Sequence, residues 1–481
     1  MARRVIIIGN HPLAESLKRQ YEARGYHVEQ TKRQSTEDID SNAYDELCLL
    51  SDGNDDRAVA MLQPIAAQYA PADHGGRKLT CHLLLETLQT LRMLQTTDLC
   101  KAIRQKADVY PFTMAEVWCR SIVTDYRPVT LQSEQHVHVV VFGMGQLAEM
   151  VAIHVALVAH YPNYVRNHTL RTRITMVDEQ AIERSKAFVG RYQHLFDNSY
   201  YRLVKPKDEK AVVALHHPVY AGKREDFVDV EWEFVEAESW DAELRDKLKL
   251  WARDERQLLS IVMASEDADS NTAQALCLPS ELYEQAIPIY KYSPQTEGYD
   301  VRLPLVRLAK NVNYVYDCCY EENDRAWSGQ LRYAAEIDRE ARERSWDRLG
   351  NVKRMSSIYN AMTIPAKMRS IGLGEEDWDR FYDIPQQDIE LLAEVEHNRW
   401  SVEELILGFR PCTDAEQEAI AADVKTQKGR YKERKIHYDL RAYNDLRPDG
   451  TGKPVQVYDR CLSACLPLIA KAFADEDGGE A

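Results

Sequence analysis

Two stretches of this chain combine residue types and spacing suited to ligand chemistry. The first is Gly143-Met144-Gly145-Gln146-Leu147-Ala148, which directly follows an apolar run at 136–142. A glycine at 143 permits a tight turn, Gly145 lets backbone approach a pyrophosphate, and a small residue at 148 lets a helix pack on a strand. That is the G-x-G-x-x-G/A pattern of a dinucleotide turn. A carboxylate ending the next strand would accept a hydrogen bond from a ribose hydroxyl. Asp178, closing Arg173-Ile-Thr-Met-Val-Asp178, meets the need, although it stands 35 residues beyond Gly143 rather than roughly 20. The candidate cofactor residues are therefore Gly143, Met144, Gly145, Gln146, Leu147 and Asp178, and the expected ligand is NAD(H) or an adenine nucleotide, since a carboxylate repels a 2′-phosphate.

The second stretch is Glu394-Val-Glu396-His397-Asn398-Arg399-Trp400, followed by Glu403-Glu404, with Lys435-Ile-His437 farther on. On a helix Glu396, Trp400 and Glu403 share one face, and His397 and Glu404 the neighbouring stripe. An indole beside carboxylates and an imidazole suits a base: the ring stacks, the acids accept from an exocyclic amine, and Arg399 or Lys435 meets a phosphate. Glu396, His397, Arg399, Trp400, Lys435 and His437 are the candidate ligand residues. Trp400 as a core anchor with Glu396 and Arg399 as a helix pair is the plainer alternative. A basic run, Lys425 to Lys435, would draw an anion toward such a pocket or would be a solvated face.

The elements that must position these residues are α/β first and helical afterwards. Residues 1–130 alternate apolar strands (5–8, 27–29, 46–50, 79–85) with helices at 13–24 and 57–69, which implies a parallel sheet. Their first turn, Gly9-Asn-His-Pro, keeps one glycine where a dinucleotide turn has three, so this is expected to be a degenerate Rossmann-like unit. A second unit, 134–320, takes its strands from 136–142, 173–178, 258–264, 287–290 and 314–316, with an acidic turn at 265–269. A helical connector is expected over 325–388, including a helix at 326–348, and a mainly helical module over 389–475.

The glycine turn, Asp178 and the strand leading into the turn at 265–269 resemble the nucleotide-binding domain of TrkA-type potassium-uptake regulators. That resemblance implies a regulatory module without chemistry of its own. The acidic-His-x-x-Trp helix, Gly408-Phe409, Lys435-Ile-His437-Tyr-Asp-Leu440 and Tyr458-Asp459 resemble, in order, the ryanodine-receptor repeat domain in its bacterial and phage form. The sequence departs from that pattern at Gly408-Phe409-Arg410-Pro411 and in an insertion at 413–434. Together the resemblances imply a bacterial ligand sensor in ion-flux control or anti-phage signalling. Its partners would be a small nucleotide-like ligand, a membrane-channel or effector protein, and further copies of the chain.

Composition narrows the alternatives. Lys plus Arg number 61 against 77 Asp plus Glu, a net charge of −16, which disfavours a polynucleotide partner. No run approaches the ~20 apolar residues of a membrane span, and the apolar stretch at 5–8 is too short for a signal peptide. The ten cysteines lack CxxC spacing, so reduced thiols in a cytosol are expected. His216-His217 has no third ligand at metal-site spacing, so no metal is expected, and no hydrolase, zincin or P-loop motif occurs. These absences favour binding over turnover. A nicotinamide-dependent oxidoreductase and a nucleotide-processing enzyme remain the alternative classes.

Overall fold

Aliphatic runs flanked by polar turns form two parallel sheets in the computed structural model, which describes residues 3–32, 39–123, 129–207, 212–220, 225–294, 297–321, 337–374, 377–381, 383–448 and 454–470. The first sheet contains β1 (Arg4–Ile8), β2 (His27–Thr31), β3 (Glu46–Leu50), β4 (Leu79–Leu84) and β5 (Ala107–Phe112), all parallel in the order β2-β1-β3-β4-β5. That is a doubly wound order whose direction of winding reverses beside β1. Gly9, which ends β1, has φ +126°, and a Cβ there would lie 2.5 Å from the Leu50 carbonyl oxygen, so glycine is what lets the turn press against β3. The helix expected over 57–69 is two shorter ones, Asp55–Ala60 and Leu62–Gln68.

The second sheet adds β6 (His136–Phe142), β7 (Thr172–Asp178), β8 (Tyr200–Val204), β9 (Val212–His216), β10 (Val230–Glu236), β11 (Gln257–Met263) and β12 (Ile289–Lys291). Their order is β12-β11-β6-β7-β10-β8-β9, parallel except for β9, which runs antiparallel along β8 at the edge. Winding reverses at β6, which lies between β11 and β7.

One expected strand of this sheet is not a strand. Tyr314-Val315-Tyr316 falls inside the helix Pro304–Glu321. Ala309, Val312, Val315 and Cys319 recur at helical spacing and are all buried, so burial of that stripe overrides the β preference of an aromatic and β-branched triplet.

Helices make up the rest of the described chain. Arg339–Arg348 begins at the Asp338 cap, while 326–336 of the expected helix lies outside the described residues. Asn351–Ser370, Gln386–Ile406 and Val457–Ala464 follow. The insertion at 413–434 forms two helices, Asp414–Ala422 and Val424–Glu433. The first starts at a capping box between Thr413 and Glu416. A two-residue parallel pairing of Arg410–Pro411 with Ile436–His437 closes its base.

A continuous apolar cluster joins these parts, running from Ile8 and Leu83 through Val141 and Val151 to Leu392 and Ile469. The helix Gln146–Val158 lies at its centre, with every residue from Leu147 to Val158 buried. It packs on β6 and β7 on one side and on Met114–Val123, Asn351–Ser370 and Gln386–Ile406 on the other. A helix covered all round needs no polar face, which accounts for its apolar composition. No described helix is long and apolar enough to cross a membrane.

Candidate functional site

At the C-terminal end of β6 the sheet reverses winding, and open α/β sheets offer a crevice at such a point. Gly143 sits there with φ +110°, its N–H donating to the Val177 carbonyl at 2.8 Å. A Cβ at 143 would lie 3.6 Å from both the Ala148 Cβ and the Ala264 carbonyl oxygen, so Ala148 packs directly beneath the turn. Met144 is half-buried, Gln146 is exposed and Leu147 is buried. Gly145 is the N-cap of the helix 146–158, and no side chain caps that end. A Cβ at 145 would meet nothing within 4 Å. Backbone N–H groups at this helix end are thus open to an anion.

Asp178 ends β7 next to this turn. Its Oδ1 accepts from the Gln180 N–H at 2.9 Å, and its Oδ2 accepts from Arg184 at 2.8 Å. Arg184 is half-exposed, so a ligand hydroxyl competes with a solvent-accessible ion pair of small net worth. Gly143 and Asp178 line one cavity of about 220 Å³ together with Ser239, Trp240 and Gln274. Ser239 Oγ and Gln274 Oε1 are buried there without a hydrogen-bond partner, and Trp240 is 57% exposed at the rim. Buried polar atoms are ordinarily satisfied, so two orphans in one cavity favour an occupant. An exposed indole beside them is a surface on which a base can stack.

Sequence reasoning missed Ser239, Trp240, Gln274 and Arg184. The first two follow β10, whose alternation Val-Glu-Trp-Glu-Phe-Val-Glu was the available signal. One turn into the helix 146–158, Glu149 accepts from Arg92, Arg191 and Tyr192. Burial opposes its ionisation, but the two guanidiniums hold its carboxyl below the usual range.

The C-terminal candidates divide into two groups. Glu396 and Arg399 are buried in a line of ion pairs: Lys367 Nζ donates to Glu396 Oε2 at 2.7 Å, Arg399 Nε to Glu396 Oε1 at 2.9 Å and Arg399 Nη1 to Glu403 Oε2 at 2.8 Å. Ser356 donates to Glu403 at 2.9 Å. Burial disfavours a charged Glu396, but Arg399 and Lys367 outweigh it and hold the carboxyl down at about 2. These groups pair with one another and tie the helix 386–406 to the helix 351–370.

The other group is aromatic. His397, Trp400 and His437 cluster, with ring centroids 5.5 Å apart for His397–Trp400 and 4.8 Å for Trp400–His437. His397 Nε2 faces the Arg441 carbonyl at 2.9 Å and Nδ1 faces Asp459 at 3.5 Å. Burial alone would lower its pKa, yet Asp459 and that carbonyl raise it above the ordinary value. His437, by contrast, is pushed down to about 3 by burial. Lys435 is exposed in the left-handed region at φ +59°, its Nζ 4.2 Å from the Phe409 ring centroid. Trp400 is half-buried, and Glu404, one turn on, is pushed up to about 7 by burial, with Oε2 unpartnered. Among the described residues no group of three or more His, Cys, Asp or Glu is placed to hold a metal.

No protein-family model matches the chain, and no curated protein does. Among solved structures, NtrX from Brucella abortus in complex with ATP aligns over 89% of this chain and 100% of that one at 11% identity and a TM-score of 0.17. The ADP complex of the same protein aligns over 90% and 99% at 8% identity and a TM-score of 0.16. Similarity at that level carries no argument about fold or ligand.

Proposed function

We propose that this chain is a nucleotide-sensing regulatory protein working in the cytosol. Its second sheet is read as a TrkA-type module that binds NAD(H) or an adenine nucleotide without consuming it. The pyrophosphate would lie on the helix end at Gly145, the ribose against Asp178 and the base on Trp240. The observation that carries this reading is the cavity shared by Gly143 and Asp178, with its two orphaned polar atoms and its exposed indole.

The C-terminal helices are read as a ryanodine-receptor-type module for a second small, nucleotide-derived ligand. Trp400, His437 and Lys435 would contact it, while Glu396, Arg399 and His397 brace the helix that presents them. Control of ion flux or anti-phage signalling through a channel or effector protein is the setting this reading implies, with the chain assembled as a homo-oligomer. Native mass spectrometry of the purified full-length chain tests it. A mass increment matching NAD(H) or an adenine nucleotide is expected, as purified or after incubation with NAD(H), ATP and ADP. A bare chain under all these conditions contradicts it.

A further inference from the structure

A second cavity, of about 180 Å³, lies where the three parts of the chain meet. Leu88–Thr96 and Met114–Val123 from the first sheet's layer, Gln146–Val158, and the helices 351–370 and 386–406 all contribute to its wall. Most of that wall is apolar, formed by Leu91, Met150, Ile153, Leu157, Met355 and Ile406. Three buried polar residues interrupt it, Glu116, His154 and Glu403, and Glu403 is already paired with Arg399 and Ser356. Glu116, 1% exposed, uses Oε1 to accept from Gln95 and Arg120, both at 2.7 Å, and its Oε2 has no partner. His154, 6% exposed, places Nδ1 2.9 Å from the Met150 carbonyl, and its Nε2 has no partner.

The chemistry of those two atoms specifies what is missing. A carbonyl only accepts, so the proton of His154 is on Nδ1, and Nε2 presents a lone pair. Burial holds the imidazole down at about 4, which keeps it neutral at physiological pH. A carboxylate oxygen likewise only accepts. Glu116 and His154 both line this mainly apolar cavity and each carries one unsatisfied acceptor atom, so the complement is a molecule with donors. Water is a poor complement: at ~30 Å³ each, about six waters would fill the space, and most would face wall that gives them no hydrogen bond. A cavity of about 150 Å³ accommodates a benzene ring, so this one suits a slightly larger planar molecule.

We infer that this junction cavity is a binding site for a planar nitrogen heteroaromatic carrying at least two N–H donors, which would bond to Glu116 Oε2 and His154 Nε2 while the ring fills the apolar part. The site is separate from the glycine-turn cavity and does not depend on the nucleotide reading. A ligand held there touches all three parts of the chain at once. Two of its wall residues also reach the other candidate sites: Arg92 bonds to Glu149 near the glycine turn, and Glu403 ends the line of ion pairs on the C-terminal helix.

The test is calorimetric titration of the full-length chain with 2-aminobenzimidazole, with indole as the single-donor comparator. Saturable one-to-one binding is expected, about tenfold or more tighter than indole. Glu116→Gln keeps an oxygen for Gln95 and Arg120 but turns the other atom into a donor, and should weaken the probe by about tenfold or more. Met355→Trp fills the chamber from a partly exposed position and should abolish binding while the thermal melt stays cooperative. Absence of binding up to the solubility limit overturns the inference. So does equal affinity for indole, or binding that Met355→Trp leaves intact.

Discussion

Lys367→Met tests whether the ion pairs beneath the C-terminal helix hold it in place. The line contains two cations, Lys367 and Arg399, and two carboxylates, Glu396 and Glu403, all four side chains no more than 4% exposed. Removing Lys367 leaves one carboxylate in excess in a dry environment. At 2.7 Å and an effective dielectric constant of about 20, the lost attraction is roughly 6 kcal/mol. Arg399, still 2.8 Å from Glu396, recovers part of it, so a net loss of about 3–5 kcal/mol is expected, as for other broken buried pairs. Urea denaturation of the full-length chain, followed by tryptophan fluorescence, reads that loss. The double variant Lys367→Met/Glu396→Leu restores charge balance around Arg399 and Glu403, and should recover most of the stability. Protonation neutralises the excess carboxylate, so the deficit of the single variant should be smaller at pH 5 than at pH 8. A loss under 1 kcal/mol, or a double variant no more stable than the single, would show that the chain of pairs does not brace the helix.

His397 has a folded pKa above its unfolded value of about 6.5, so its contribution to stability is full below that pH and is lost as pH rises through the folded value. Asp459→Asn should therefore flatten the alkaline decline seen in thermal melts of the wild type. Gly143→Ala should cost about 1–3 kcal/mol from the positive φ alone, because its Cβ fits. Gly9→Ala should cost more in the same melts, since its Cβ would collide with the Leu50 carbonyl oxygen. Arg184→Ala should free Asp178 for a ribose hydroxyl and tighten NAD(H) binding in a fluorescence titration, while Trp240→Ala should weaken it about ten- to a hundredfold if the base stacks there.

What the sequence discloses and what it hides follow from how each residue is buried. Strands β1, β3, β4 and β6 are covered on both faces, so they read as continuous apolar runs and were legible. The glycine turn was legible as well, because the positive φ at 143 and the close packing of Ala148 each restrict residue type. Strand β10 was overlooked because three glutamates in seven residues break any continuous apolar run. Glu231 and Glu233 pair with Arg173 and Arg202 of the neighbouring strands, a reason for charge inside a sheet that only the pairing discloses. Tyr314-Val-Tyr316 read as a strand because a triplet carries too little periodicity to separate the two forms, whereas the wider spacing 309, 312, 315, 319 would have favoured helix. Glu396 and Arg399 looked like ligand groups because helix spacing places them on a face without saying what covers it. Lys367, which covers it, comes from a helix 29 positions away along the chain. His154 was a further overlooked signal, an imidazole in the otherwise apolar helix segment Met-Val-Ala-Ile-His-Val-Ala-Leu-Val.

The nucleotide assignment rests on the cavity at the glycine turn, and calorimetry of the wild type beside Gly145→Val tests it most directly. Titrated with NAD(H) and with ADP, the wild type should bind at least one of them at one per chain. Gly145→Val should lose that affinity at least tenfold with an unchanged melt, because its Cβ meets no protein atom within 4 Å and can obstruct only what approaches from outside. Failure of the wild type to bind either nucleotide, or equal binding by Gly145→Val, would contradict the account.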